Sequence, residues 1–298
     1  KFISVFTSIC NCLREKEDYS EAILGYGRSL FEQNVIYAEL HFSPWAHLHR
    51  GVSLKTMEAG LIEGLEQVKK KYGLSLRLII DIVRDRNENA MRLVDWASDM
   101  SKEYVVGIGI SGGPDAIPRA KYVAHCRNAI KRDLGIVVHA GELEGPYSVS
   151  ESYYELQAHR ISHGVRALED FNLIKELIKN KIHFELCPSS NVHLGVGCPF
   201  WSSIKQIYDY GALCSINTDD ELLFNTNMSK EISLLLSQEV FNISDIYLMQ
   251  ANAVSASFIN KQAKDEIACQ LKEGWLGKRC QIGEEEENMS EKSSIRFC

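Results

Sequence analysis

GIVVHAGE (135–142) and LCSINTDD (213–220) are the two stretches on which the fold turns. Each is a short apolar run that stops abruptly on histidine, carboxylate or amide: His139 and Glu142 in the first, Asn217, Asp219 and Asp220 in the second. RISHGV (160–165) and HFELCPSSN (183–191) end in the same way. Three earlier runs, VIYAELHFSP (35–44), LRLIIDIVR (76–84) and VVGIGISGG (105–113), bring the predicted strands to seven. Several hold consecutive apolar residues, as strands covered on both faces do. Helix-like segments separate them. SLKTMEAGLIEGLEQVKKKYG (53–73) has apolar positions at helical spacing and closes on Gly73, and 87–103, 115–132, 147–158, 168–180 and 200–210 read similarly. Strand–helix alternation of this length predicts an α/β fold with a parallel sheet.

Two parallel architectures fit such a pattern, an open doubly wound sheet and a (β/α)8 TIM-like barrel. The polar clusters favour the barrel, because they close strands both early and late in the chain. A barrel draws its functional residues from many strand ends, whereas a doubly wound sheet gathers them at one switch point. Gly109, Gly112 and Gly113 also lack the spacing of a dinucleotide-binding loop. Residues 1–33 read as helical and hold no strand, so the barrel is one strand short. Strand 1 is therefore expected to precede Lys1, since a missing strand would leave two open edges. Residues 1–281 are expected to form this single domain. The acid-rich tail IGEEEENMSEKSSIRFC (282–298) is expected to be disordered.

Composition narrows the partners. The 298 residues are 45% hydrophobic and 24% charged, ordinary for a globular chain, and the net charge is −7. An acidic balance argues against a nucleic-acid surface, which needs clustered Lys and Arg. No apolar run approaches the roughly 18 residues of a membrane span. Nine cysteines without any Cys-x-x-Cys pair read as buried thiols of a reduced, cytoplasmic protein, Cys10 and Cys12 included. A small-molecule partner fits best; oligomeric state is not legible.

The strand-end residues carry the chemistry. A histidine at the end of a buried strand faces the barrel mouth, and Ala140-Gly141 lets the backbone turn so that Glu142 faces it too. Imidazole is a natural zinc ligand, and a neighbouring carboxylate can shuttle protons. Alone, His139 would read as a strand-end histidine bonded to a loop; the other clusters reverse that balance. Asp219-Asp220 pairs two acids that repel unless one meets a cation or a proton, although alone the segment would read as a helix N-cap. His163 either orients and deprotonates water or bonds a loop carbonyl. His47-Leu48-His49 lies beyond Pro44 in an expected loop and is discounted as a metal pair. His183-Phe184-Glu185 imitates the His-x-Glu of zinc nucleobase deaminases, but the Pro-Cys-x-x-Cys that completes that pattern is absent.

Taken together, YAELHFSP, VVGIGISGG, VVHAGE, RISHGVRALED, HFELCPSSNVHLG and SINTDDELLF resemble, in order, the adenosine deaminase family of the amidohydrolase barrels. The resemblance covers roughly residues 1–260. It implies His139 and Asp219 as zinc ligands and Glu142 as the proton donor to N1 of a purine. His163 would hold and help activate the hydroxide on the metal. Asp220 would bond N7, the Gly112 N–H would meet N3, and Ser43 would line the site. The family's first strand adds a His-x-His pair and an acid that touches ribose, and this chain begins after that point. Glu221 stands where proline is frequent, and Gly109 where an acid is more usual.

The expected function is hydrolytic deamination of a 6-aminopurine nucleoside, adenosine to inosine and ammonia, with one zinc ion per site in the complete protein. Zinc would make water nucleophilic near neutral pH, and a sheltered Glu142 would protonate the ring. Adenine, an aminofutalosine-type nucleoside and an N6-modified adenine nucleotide are the alternatives within the family. A catalytically inert barrel acting as a binding module is the alternative outside it.

Overall fold

The computed structural model describes residues 2–85, 89–114, 116–196 and 200–276; the tail 282–298 lies outside them. The chain opens with α1 (Phe2–Cys10) and α2 (Lys16–Glu32), followed by β1 (Tyr37–Phe42), α3 (Trp45–Leu48), α4 (Leu54–Tyr72) and β2 (Ser75–Val83). Next come α5 (Ala90–Asp99), β3 (Val105–Ser111), α6 (Val123–Lys131), β4 (Gly135–Ala140), α7 (Pro146–Tyr154) and β5 (Arg160–His163). The remainder is α8 (Phe171–Lys179), β6 (His183–Leu186), α9 (Pro188–Leu194), α10 (Phe200–Asp209), β7 (Leu213–Ile216), α11 (Glu221–Phe224), α12 (Met228–Ser237) and α13 (Ile243–Ala256). Residues 1–258 form one compact unit; a second begins at Ile259, with residues 261–276 helical.

All seven expected strands are present, parallel and paired in chain order from β1 to β7. The sheet is strongly curled. In a flat sheet β1 and β5 would lie about 19 Å apart, at roughly 4.8 Å per strand. Yet Arg160 Nη1 on β5 is 2.6 Å from Glu39 Oε2 on β1. The architecture is that of a TIM-like barrel lacking its first strand, and β1 and β7 are the sheet's two edges among the described residues.

Registers assign each strand residue to a face. Leu78, Ile80, Ile82, Ile108, Ile110, Ile136, Val138, Ile161, Phe184 and Leu186 share the outer face and are fully buried beneath the helices. Each such side chain contributes roughly 1.5–3 kcal/mol by leaving water. The inner face is polar: Glu39, His41, Asp81, His139, Arg160, Ser162, His183, Glu185 and Ser215 project into the lumen. The inner face is thus polar in part, and the continuous apolar runs arise where Ile79 on β2, Gly107 and Gly109 on β3 and Val137 on β4 line it.

The helices follow their sequence punctuation. On α4 the buried positions Met57, Gly60, Leu61, Gly64, Leu65 and Val68 recur at helical spacing. The Ser53 hydroxyl caps its start by accepting from the Thr56 N–H, and Gly73 ends it at φ 67°. His47 lies in the short helix α3 rather than a loop. It is buried against Arg50, whose Nη2 donates to His47 Nδ1 at 2.9 Å, while His49 stacks on Trp45. The two imidazoles are therefore no metal pair. The six described cysteines are free thiols, with Cys10 buried and Cys12 exposed. No described helix is long and apolar enough to cross a membrane.

The N-terminal end of the lumen is plugged. Phe258 packs so closely beneath β3 and β4 that a Cβ on Gly135 would sit 2.3 Å from its ring. The Arg160 guanidinium lies 4.0 Å from that ring, and the Phe258 N–H donates to Glu39 Oε1. At the opposite end, where the strands terminate, Glu142 is half-buried and Asp219 exposed.

Candidate active site

His139 is the penultimate residue of β4 and faces inward, paired in register with Ser162. By the same alternation His163, opposite Ala140, would point outward into the apolar layer. It does not, because its backbone adopts φ 65°. That turn brings its ring to 5.4 Å from the His139 ring and its Nε2 to 3.8 Å from Glu142 Oε1. Left-handed backbone costs a non-glycine residue of order 1–3 kcal/mol and is concentrated at functional sites. Asp219 shares the conformation, at φ 54°. Two of the expected site residues are thus held in strained backbone.

Ligand atoms of His163, Cys187 and Asp219 lie within 4.8 Å of one another. Nδ1 of His139 and of His163 is buried without a hydrogen-bond partner among the described residues. Burial lowers the His139 pKa, which keeps the imidazole neutral and its lone pair available. Burial, reinforced by Asp219 and Glu185, pushes the Cys187 thiol well above its ordinary range, so it stays protonated. Orphaned imidazole nitrogens beside a carboxylate pair fit a borderline-soft divalent cation such as zinc.

Asp220 occupies the N-cap position of α11, yet its side chain makes no capping bond. Burial, then the neighbouring Asp219, pushes its carboxyl up to about 7. The capping interpretation of Asp219-Asp220 therefore fails, and both acids belong to the mouth. Glu142 is about one-fifth exposed at the rim. Gly112, after β3, adopts φ 125°. The Ser43 hydroxyl, after β1, donates to Asp81 Oδ2 at 3.2 Å.

Asp81 and His41 carry no assigned role in the sequence analysis. Asp81 is buried on β2, accepts also from the Ser111 hydroxyl, and lies 3.4 Å from His41 Nδ1. The His41 ring meets the His139 ring edge-on at 5.5 Å. Asp81 also explains Gly109: a Cβ there would stand 2.3 Å from Asp81 Oδ1 and 2.9 Å from His41 Nδ1. The acid expected on β3 is supplied from β2, and glycine makes room for it. One signal was legible, a single carboxylate inside the apolar run LRLIIDIV.

The adenosine deaminase family model matches residues 1–273. An adenine deaminase from Sinorhizobium fredii is 31% identical over 276 residues, covering 91% of this chain and 84% of the relative. An aminodeoxyfutalosine deaminase from Streptomyces avermitilis is 28% identical, covering 91% and 76%. Among solved structures, the adenine deaminase from Arthrobacter aurescens superposes with a TM-score of 0.86 at 24% identity, over 93% of this chain and 84% of that one. A zinc-bound amidohydrolase from Burkholderia ambifaria gives 0.84 at 21% identity, over 91% and 76%. At these identities the structural likenesses speak for the fold alone. The extent of the family match and the 31% relative carry the assignment: the chain belongs to the adenosine deaminase family.

Proposed function

We propose that this protein catalyses metal-assisted hydrolytic deamination of a 6-aminopurine, with free adenine the first substrate to test. The observation that carries the proposal is the convergence of His139, His163, Glu142, Asp219 and Asp220 on one mouth. His139 and Asp219 would hold a zinc ion, which when bound supplies Lewis-acid activation and brings the pKa of water near 7.

The chain's own groups divide the remaining work. Glu142, at the rim, delivers a proton to N1 of the purine, which withdraws electrons from C6. His163, 3.8 Å from Glu142, holds the attacking water and takes up its proton. Oxygen adds to C6, His163 passes the proton it took to the exocyclic amine, the C6–N bond breaks to release ammonia, and the remaining C6 hydroxyl proton returns to Glu142 to leave a 6-oxopurine. N7 is an acceptor, so Asp220 meets it as the protonated acid, a form that burial favours. The Gly112 N–H donates to N3, and Ser43 lines the floor through its bond to Asp81.

Adenine is preferred over adenosine because the 31% relative is an adenine deaminase. The 28% relative makes aminodeoxyfutalosine the second substrate to test. An inert binding module is disfavoured by the strained backbone at His163 and Asp219, which a binding surface has no need to maintain. The test is ammonia release from adenine, adenosine and aminodeoxyfutalosine by the full-length protein, with and without chelator, alongside Glu142→Gln. A rate unaffected by chelation, or one reduced less than about tenfold by the substitution, would contradict the proposal, since general acid catalysis contributes about 10²–10⁴.

A further inference from the structure

We infer that Arg84, Glu144 and Arg119 form a buried brace that positions the purine-recognising edge of the mouth, and that Glu144 acts through Gly112 and Glu142 without touching substrate. The inference rests on the proposed function.

Arg84 directly follows β2 and is 1% exposed. Its Nη2 donates to the Gly112 carbonyl at 2.8 Å, the Gly113 carbonyl at 2.9 Å and Glu144 Oε2 at 3.1 Å, while Nη1 donates to the Ile117 carbonyl at 3.0 Å. Its backbone N–H donates to the Ser111 carbonyl at 2.9 Å. A trans peptide points its N–H opposite to its C=O. Engaging the Ser111 and Gly112 carbonyls therefore turns the N–H groups of Gly112 and Gly113 away from Arg84. Only glycine fits here: the φ of 125° disfavours a side chain, and a Cβ would approach Arg84 Cβ to 3.1 Å.

Arg119, 2% exposed, anchors the neighbouring loop. Its Nη2 donates to the His139 carbonyl at 2.7 Å and to the same Glu144 oxygen at 2.6 Å. The other Glu144 oxygen accepts from the Tyr147 hydroxyl at 3.1 Å. Burial alone would raise the Glu144 carboxyl, but the two guanidinium groups hold it below its ordinary value. Glu144 stands two residues beyond Glu142, so fixing one limits the excursions of the other. One carboxylate thus joins the loop after β3, which offers N–H donors, to the loop after β4, which carries the proton donor.

A merely structural role would lower stability without changing which purine atoms are recognised. Comparing hypoxanthine, the 6-oxo product, which is not turned over, with 3-deazahypoxanthine, which has C–H in place of N3, separates the two. Dissociation constants are measured calorimetrically on the full-length zinc-loaded protein, with near-UV circular dichroism confirming the fold. Wild type should prefer hypoxanthine by about fivefold to tenfold, the usual contribution of one hydrogen bond. In Glu144→Gln the ratio should fall below about twofold. An unchanged ratio in the folded variant overturns the inference. Should Glu144→Gln not fold, Arg84→Lys decides by the same ratio, since an ammonium opposite Glu144 cannot also span three carbonyls. A wild type that deaminates adenine but binds both bases equally refutes the brace and leaves the function standing. A wild type that neither binds hypoxanthine nor deaminates adenine refutes both.

Discussion

Arg160→Met tests the most heavily charged part of the interior. Arg160 lies 2.6 Å from Glu39 and 2.9 Å from Glu185, all three nearly inaccessible to solvent. Removing one partner of a buried ion pair costs about 3–5 kcal/mol, because the remaining charge is stranded. Here two carboxylates are stranded, so the upper part of that range is expected at pH 7. The pH dependence provides an independent check. Burial alone would raise the Glu185 carboxyl, but Arg160, with His41 and the Ser162 hydroxyl, holds it at about 2 instead of 4.5. A folded-state pKa below the unfolded one stabilises above the unfolded value. In wild type that contribution, about 3 kcal/mol, is complete above pH 4.5 and lost as pH falls toward 2. In Arg160→Met the largest opposing charge is gone, burial is countered only by His41, His183 and the Ser162 hydroxyl, and Glu185 contributes less at neutral pH, a loss that fades in acid. Urea midpoints at pH 7, 5, 4 and 3 should therefore converge between the two proteins as pH falls. A cost below about 1 kcal/mol at pH 7, or parallel pH profiles, would refute the reasoning.

Glycine positions give opposite expectations. Gly135→Ala would drive a methyl to 2.3 Å from the Phe258 ring and should cost about 1–3 kcal/mol in urea unfolding. Gly25→Ala, at an exposed position within α2 and with nothing within 4 Å, should stabilise by about 0.5–1 kcal/mol in the same assay. Glu142→Gln should lower kcat by about 10²–10⁴ while melting temperature and zinc content hold, because the residue sits at the rim rather than in the core; an equal loss of stability would reassign it to structure.

The strand assignments were legible because each strand is an apolar run closed by polar residues, and chain-order pairing follows from parallel strands joined by helices. His139 was legible too, since alternation alone faces it inward. His163 was not. Its entry into the mouth depends on a left-handed turn that the pattern Ser-His-Gly does not announce, and Gly164 beside it, at φ 69°, hides it further. Asp81 was visible as an odd acid in an apolar strand, but its partners Ser43 and His41 lie 38 and 40 residues away. The brace is equally non-local, with Arg84 and Glu144 separated by 60 residues. Gly109 looked like a lost acid because the sequence cannot reveal that Asp81 from the adjacent strand occupies its space. The capping interpretation of Asp220 was a fair local inference, and only the absence of a capping bond removed it. Preference for adenosine rested on the family resemblance, whereas the relatives are an adenine deaminase and an aminodeoxyfutalosine deaminase.

The most direct test of the central claim is product analysis. Full-length, zinc-loaded protein is incubated with adenine, and 6-oxopurine and ammonia are quantified before chelation, after chelation and after zinc is restored. Equimolar products that vanish with the metal and return with it are the expected result. No ammonia from adenine or from any adenine nucleoside, or turnover indifferent to chelation, would contradict it.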